Sequence, residues 1–128
     1  MTLPNTQPNR LKGKRGFARI INAARYSRDG IQAAYVHEAA FRQLVLLNGI
    51  LLALVWFCGF DTPTRMILTA ASFLSLIVEL FNTGIEAVTD YISTDIHPLA
   101  KRAKDVGSAA QFLALLLLAV LWLTALAG

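Results

Sequence analysis

Residues 77–90 read IVELFNTGIEAVTD, an apolar run that ends as a row of acids. Along a helix each residue advances by about 100°. With Glu79 as the origin, Glu86 falls at about −20°, Asp90 at about +20° and Asn82 at about −60°. Three carboxylates and a carboxamide therefore share one helix face. The stripe grows out of Met66–Phe81 (MILTAASFLSLIVELF), a segment suited to hydrocarbon. A carboxylate there costs several kcal/mol unless it is paired, protonated or bound to a cation, so its default reading is a functional site. A plain polar contact between helices is the alternative. It accounts for one acid better than for four aligned polar groups.

Two more apolar blocks flank this one, Leu44–Phe60 (LVLLNGILLALVWFCGF) and Ala110–Ala127 (AQFLALLLLAVLWLTALA). A membrane-crossing helix needs about 17–25 mostly apolar residues, and each block falls near the low end of that range. None alternates with period two, which excludes barrel strands. The chain has 128 residues, 55% of them hydrophobic, which leaves too little polar sequence to wrap three buried helices in water. The expectation is one all-α integral-membrane domain over 16–128, with membrane helices at about 38–60, 64–92 and 98–127.

Charge sets the expected orientation. Eight of the twelve Lys and Arg precede residue 43, and Lys101, Arg102 and Lys104 lie between the second and third blocks. The turn between the first and second blocks carries only Arg65. The positive-inside rule puts the N-terminus and the 93–105 loop in the cytoplasm and the C-terminus on the outer, periplasmic side of a bacterial inner membrane. Trp56, Phe57, Phe60 and Trp122 then mark the outer interface, and Tyr35 and Tyr91 the inner one. No secretory signal is expected, because some forty mostly polar residues precede the first block. Cys58, the single cysteine, excludes an intrachain disulfide and reads as an apolar residue near a helix end.

The first forty residues divide in two. Met1–Arg15 (MTLPNTQPNRLKGKR) is proline-bearing, polar and basic, and is expected to be a disordered tail near the anionic leaflet. From Gly16, Phe17, Ile20, Ile21 and Ala24 recur at helical spacing with Arg19, Arg25 and Arg28 between them. This predicts an amphipathic surface helix over about 16–35. A phospholipid surface explains its basic residues without invoking nucleic acid.

Other polar groups converge on the inner boundary. Glu38, in HEAAFRQ (37–43), stands where the first segment enters the membrane. The stretch 94–108 (TDIHPLAKRAKDVGS) supplies a Lys–Asp pair, Lys104 and Asp105. Carboxylates with open positions suit Mg2+, which binds through one or two carboxylates plus substrate phosphates. Lysine and arginine suit the phosphates themselves. The combination points to phosphoryl transfer, although a proton or cation relay would also use intramembrane acids. There is no G-x-x-x-x-G-K-[ST] motif, no protein-kinase motif and no dinucleotide fingerprint. His37 and His97 lack zinc-type spacing.

The motifs RIINAARYS (19–27), HEAAFRQ (37–43), IVELFNTGIEAVTD (77–90) and RAKDVGSAA (102–110), in that order, closely resemble the bacterial integral-membrane diacylglycerol kinase family. The resemblance runs from about Gly16 to the C-terminus. Related undecaprenol kinases share the E-x-x-N-x-x-x-E core, here Glu79, Asn82 and Glu86, while AARYS and HEAAFRQ look more like the diacylglycerol branch.

The resemblance implies a homotrimer of three-helix subunits, each with an N-terminal surface helix. It implies Mg2+-dependent transfer of the ATP γ-phosphate to a lipid hydroxyl. Glu79 would be the general base, assisted by Asn82, and Glu38 and Glu86 the metal carboxylates. Arg19, Tyr26, Glu38, Glu86, Asp95, His97, Lys104 and Asp105 match nucleotide positions. Arg19, Ala40, Gln43, Glu79 and Ser108 match positions near the lipid. The plainer readings are that Tyr26 is an interfacial anchor and that Ala40 permits close packing. The chain departs from the family at Leu44, where members often carry another glutamate, and in detail at SRDG (27–30) and QAAYVHE (32–38). The expected partners are ATP, diacylglycerol and the bilayer. A polyprenol kinase and a non-catalytic scaffold or ion carrier are the alternatives.

Overall fold

The computed structural model describes residues 16–128. The tail 1–15, expected to be disordered, lies outside the described residues. Four helices follow in chain order: α1 (Gly16–His37), α2 (Ala39–Phe57), α3 (Thr62–Ile92) and α4 (Pro98–Ala127). The fold is all-α, and α2, α3 and α4 are each long and apolar enough to cross a membrane.

Helix α1 presents Phe17, Ile20 and Ile21 to the outside, with Arg19, Arg25 and Arg28 interleaved. An apolar face bearing arginines at its edges suits the plane of a bilayer surface.

From Ala34 onward the chain is a second compact unit, in which α3 packs against both α2 and α4. Its turns are set locally. Cys58 ends α2, and Gly59 follows at φ +73°, a left-handed conformation that costs glycine least. Asp61 then caps α3 by accepting a 3.0 Å hydrogen bond from the Thr64 amide, with Pro63 in the first turn. At the other end His97 caps α4, its Nδ1 accepting from the Leu99 amide at 3.1 Å, with Pro98 at the helix start. Near the α2–α3 turn, Phe60 stacks edge-on against Trp122 at 5.8 Å and Arg65 lies 5.1 Å over Trp56.

Helix lengths position the acids. The 19 residues of α2 span about 28 Å, close to the roughly 30 Å of bilayer hydrocarbon. The 31 residues of α3 span about 46 Å and so overshoot it by about ten residues. That surplus allows Glu86 and Asp90 to lie beyond the hydrocarbon.

Apolar burial contributes little to helix association inside a bilayer, so packing and interhelical hydrogen bonds hold the bundle together. The packed interior is correspondingly mixed. Phe41, Leu44, Val55, Leu68, Ala71, Ala114 and Leu118 are buried alongside Asn48, Ser72, Ser75, Glu79, Asn82 and Gln111.

Candidate active site

The stripe on α3 becomes more exposed toward the α3–α4 turn. Glu79 is 6% exposed and Asn82 9%, Glu86 is half-buried, and the Asp90 side chain is 52% exposed. Glu79 therefore sits inside the bundle.

The chain breaks between α1 and α2 at Glu38. Its backbone is extended (φ −117°, ψ 109°), and its carboxylate makes no capping hydrogen bond although it occupies the cap position. The carboxylate is thus free for another role. Arg42 secures the break by donating from Nη1 to the carbonyl oxygens of Tyr35 (2.7 Å) and Val36 (2.9 Å). Glu79 and Glu86 share one face of α3, and Glu38 stands just before α2.

Asn82 is fixed by two neighbours. Its Nδ2 donates toward Glu86 Oε1 at 3.5 Å, a long contact, and its Oδ1 is buried without a partner. Across the interface stands Gly107 of α4, where an added Cβ would overlap Asn82 Oδ1. Any larger residue at this position would force the Asn82 carboxamide to shift.

Lys104 and Asp105, adjacent in sequence, each find a different partner. Lys104 Nζ meets Asp90 Oδ1 at 2.6 Å, and Asp105 Oδ2 is instead met by Lys101 Nζ at 2.6 Å. Neighbours in sequence project about 100° apart on a helix, whereas residues four apart share a face. Asp90, Asp95, His97, Lys104 and Asp105 all line one pocket of about 230 Å³. His97 is already engaged as the α4 cap.

The remaining expected site residues are placed as follows. Ala40, Gln43 and Ser108 are exposed on the surface of the second unit, and Ser108 adjoins the buried Gly107. Arg19 and Tyr26 are exposed on α1 and belong to the first unit. Leu44, at the position of the family glutamate, is buried.

No group of three or more His, Cys, Asp or Glu among the described residues forms a ready metal cluster. The oxygen donors of Glu38 and Glu86, the latter against the buried Asn82 carboxamide, nevertheless suit Mg2+ in chemistry, which needs only one or two protein carboxylates when phosphates complete its shell.

Sequence reasoning missed the polar layer beyond Glu79. Asn48 Nδ2 donates to Ser75 Oγ (3.0 Å) and to the Leu44 carbonyl (2.9 Å), while Ser75 Oγ donates to the Ser72 carbonyl (2.8 Å). Gln111 Nε2 donates to the Ser75 carbonyl (3.2 Å). A signal was present, because positions 72, 75, 79, 82 and 86 repeat at intervals of 3 and 4, one continuous helix face. The serines, standing among apolar neighbours, gave it too little weight.

The prokaryotic diacylglycerol kinase profile matches residues 25–126. A diacylglycerol kinase of Pseudomonas aeruginosa is 49% identical over 121 residues, covering 94% of this chain and 98% of that protein. That of Escherichia coli K12 is 46% identical over 109 residues (84% and 88% covered). One from Helicobacter pylori is 41% identical over 108 residues (84% of each). The chain belongs to the prokaryotic diacylglycerol kinase family.

Proposed function

We propose that the chain is a membrane lipid kinase that transfers the γ-phosphate of ATP to the hydroxyl of diacylglycerol, giving phosphatidic acid. The observation that carries this reading is the burial of Glu79 on the same face of α3 as Asn82 and Glu86, in a bundle of membrane-length helices whose α3–α4 end carries a pocket lined by Lys104. The kinship with diacylglycerol kinases supports the choice of lipid.

Glu79 acts as the general base that orients and deprotonates the lipid hydroxyl. Asn82 steadies the carboxylate region, held in turn by Gly107. Glu38 and Glu86 hold Mg2+, which neutralises phosphate charge when bound. Lys104 and the neighbouring pocket residues receive the nucleotide phosphates. Phosphoryl transfer depends mainly on position and charge compensation, so a fold without a P-loop suffices. A diacylglycerol hydroxyl lies at headgroup level and ATP arrives from water, and the end of α3 that overshoots the hydrocarbon is where both are reachable. In this reading that end faces the cytoplasm of a bacterial inner membrane and the C-terminus faces the periplasm. The subunit works within a homotrimer, in which Arg19 and Tyr26 contribute to nucleotide contacts, and Ala40, Gln43 and Ser108 border the lipid.

The test is transfer from labelled Mg-ATP by the purified protein in lipid-doped micelles, with diacylglycerol and undecaprenol offered separately. Labelled phosphatidic acid is the expected product. Labelling of undecaprenol alone would keep the chemistry and change the substrate. The absence of any labelled lipid from folded protein would overturn the reading.

A further inference from the structure

We propose that Ser75 is the point at which α3 is clamped to both neighbouring helices, and that Asn48, Ser75 and Gln111 are positioning residues for Glu79. The inference rests on the reading of Glu79 as the general base and extends it to residues that touch neither lipid nor nucleotide.

Asn48, Ser75 and Gln111 are 1%, 0% and 7% exposed, so all three polar groups are enclosed by the bundle. An all-apolar seam would avoid the cost of burying them, yet Asn48, Ser75 and Gln111 all stand within membrane-length apolar segments. Their bonds converge on one residue from opposite sides. Asn48 of α2 donates to the Ser75 hydroxyl, and Gln111 of α4 donates to the Ser75 carbonyl. In an α-helix that same carbonyl accepts the amide of the residue four positions on, which is Glu79. Gln111 therefore bonds directly to the backbone group that supports the base.

The clamp is also in register with the second contact on α4. Gln111 lies one turn from Gly107, and Gly107 abuts Asn82. One face of α4 thus holds both Ser75 and Asn82, the residues that bracket Glu79 along α3. Rotation or sliding of α3 would break a hydrogen bond to α2, another to α4 and the Gly107 fit together. Displacements on the scale of 1 Å at a reacting group lower turnover by as much as about a hundredfold. A clamp one turn away limits such displacement.

The test compares Ser75→Val with Ser75→Thr in the full chain in lipid-doped micelles. Valine and threonine share a shape, so packing is matched and only the hydroxyl differs. Expected for Ser75→Val is a drop in kcat per folded protein of about tenfold or more, with KM for Mg-ATP within about twofold. Ser75→Thr retains most of the wild-type kcat. Gln111→Met, which keeps length and removes the amide, behaves like Ser75→Val and replaces it if that variant does not fold. In parallel, amide hydrogen exchange is followed over the segment containing Glu79 and Asn82. It should speed up about tenfold in Ser75→Val and Gln111→Met and stay near wild type in Ser75→Thr. Equal turnover and equal exchange in the valine and threonine variants would overturn the clamp. A folded wild type that phosphorylates no lipid would overturn the kinase reading instead. The exchange comparison then decides the clamp alone, with unchanged protection in both Ser75→Val and Gln111→Met refuting it.

Discussion

Gly107 of α4 and the carboxamide of Asn82 on α3 are packed so closely that a methyl group on Gly107 would overlap Asn82 Oδ1. This contact holds Asn82 between Glu79 and Glu86 and joins the acid-bearing helix to the helix that carries Lys104.

Gly107→Ala should therefore displace Asn82 rather than merely crowd it. We expect kcat for lipid phosphorylation to fall by about tenfold to a hundredfold, with the helical signal retained. Steady-state kinetics beside circular dichroism checks this. Wild-type turnover in a folded Gly107→Ala protein would show that the position of Asn82 does not matter.

Glu79→Gln keeps the shape of the side chain and removes its basicity. Turnover should fall by about a hundredfold to ten-thousandfold, the usual contribution of general acid–base catalysis. Binding of Mg-ATP should change little. Normal turnover in this variant would remove Glu79 from the role of base.

Lys104 is half-exposed and paired with Asp90 at 2.6 Å. A surface pair of this kind contributes little to stability. Its expected importance is to the nucleotide. Lys104→Met should raise KM for Mg-ATP by about tenfold, the loss of one charge-assisted contact, and leave thermal stability nearly unchanged. Thermal unfolding and an ATP titration separate the two effects.

Asp61 caps α3 at the opposite end, and its hydrogen bonds with Thr64 hold its carboxyl below the usual carboxylate range. A depressed folded-state pKa stabilises the fold above the unfolded value and loses that contribution as pH falls through the folded one. The advantage of wild type over Asp61→Ala in thermal unfolding should be full above about pH 4 and fade as pH drops further. A difference independent of pH would mean that the cap works through shape alone.

Much of this was readable in one dimension. The three apolar blocks forecast α2, α3 and α4, because hydrocarbon demands helices of a minimum length and leaves few alternatives. The spacing of Glu79, Asn82 and Glu86 placed them on one face, because helical geometry is the same everywhere. The pairing of Lys104 was not readable, since its partner Asp90 lies on another helix, fourteen residues away. Nor was the importance of Gly107, Ser75 or Gln111. Their identities are unremarked in isolation and acquire meaning only against the helix that faces them.

The sequence by itself determined that this is an all-α membrane chain with a polar stripe on its middle apolar helix, because periodicity and hydropathy are local properties. Tertiary structure decided which residues meet that stripe. Asn48 and Gln111 reach Ser75 from two sides, Gly107 admits Asn82, and Asp90 pairs with Lys104. The physical reason is that interhelical register is set by side-chain packing and hydrogen bonds between segments distant in sequence, and no single segment encodes the partner it will meet.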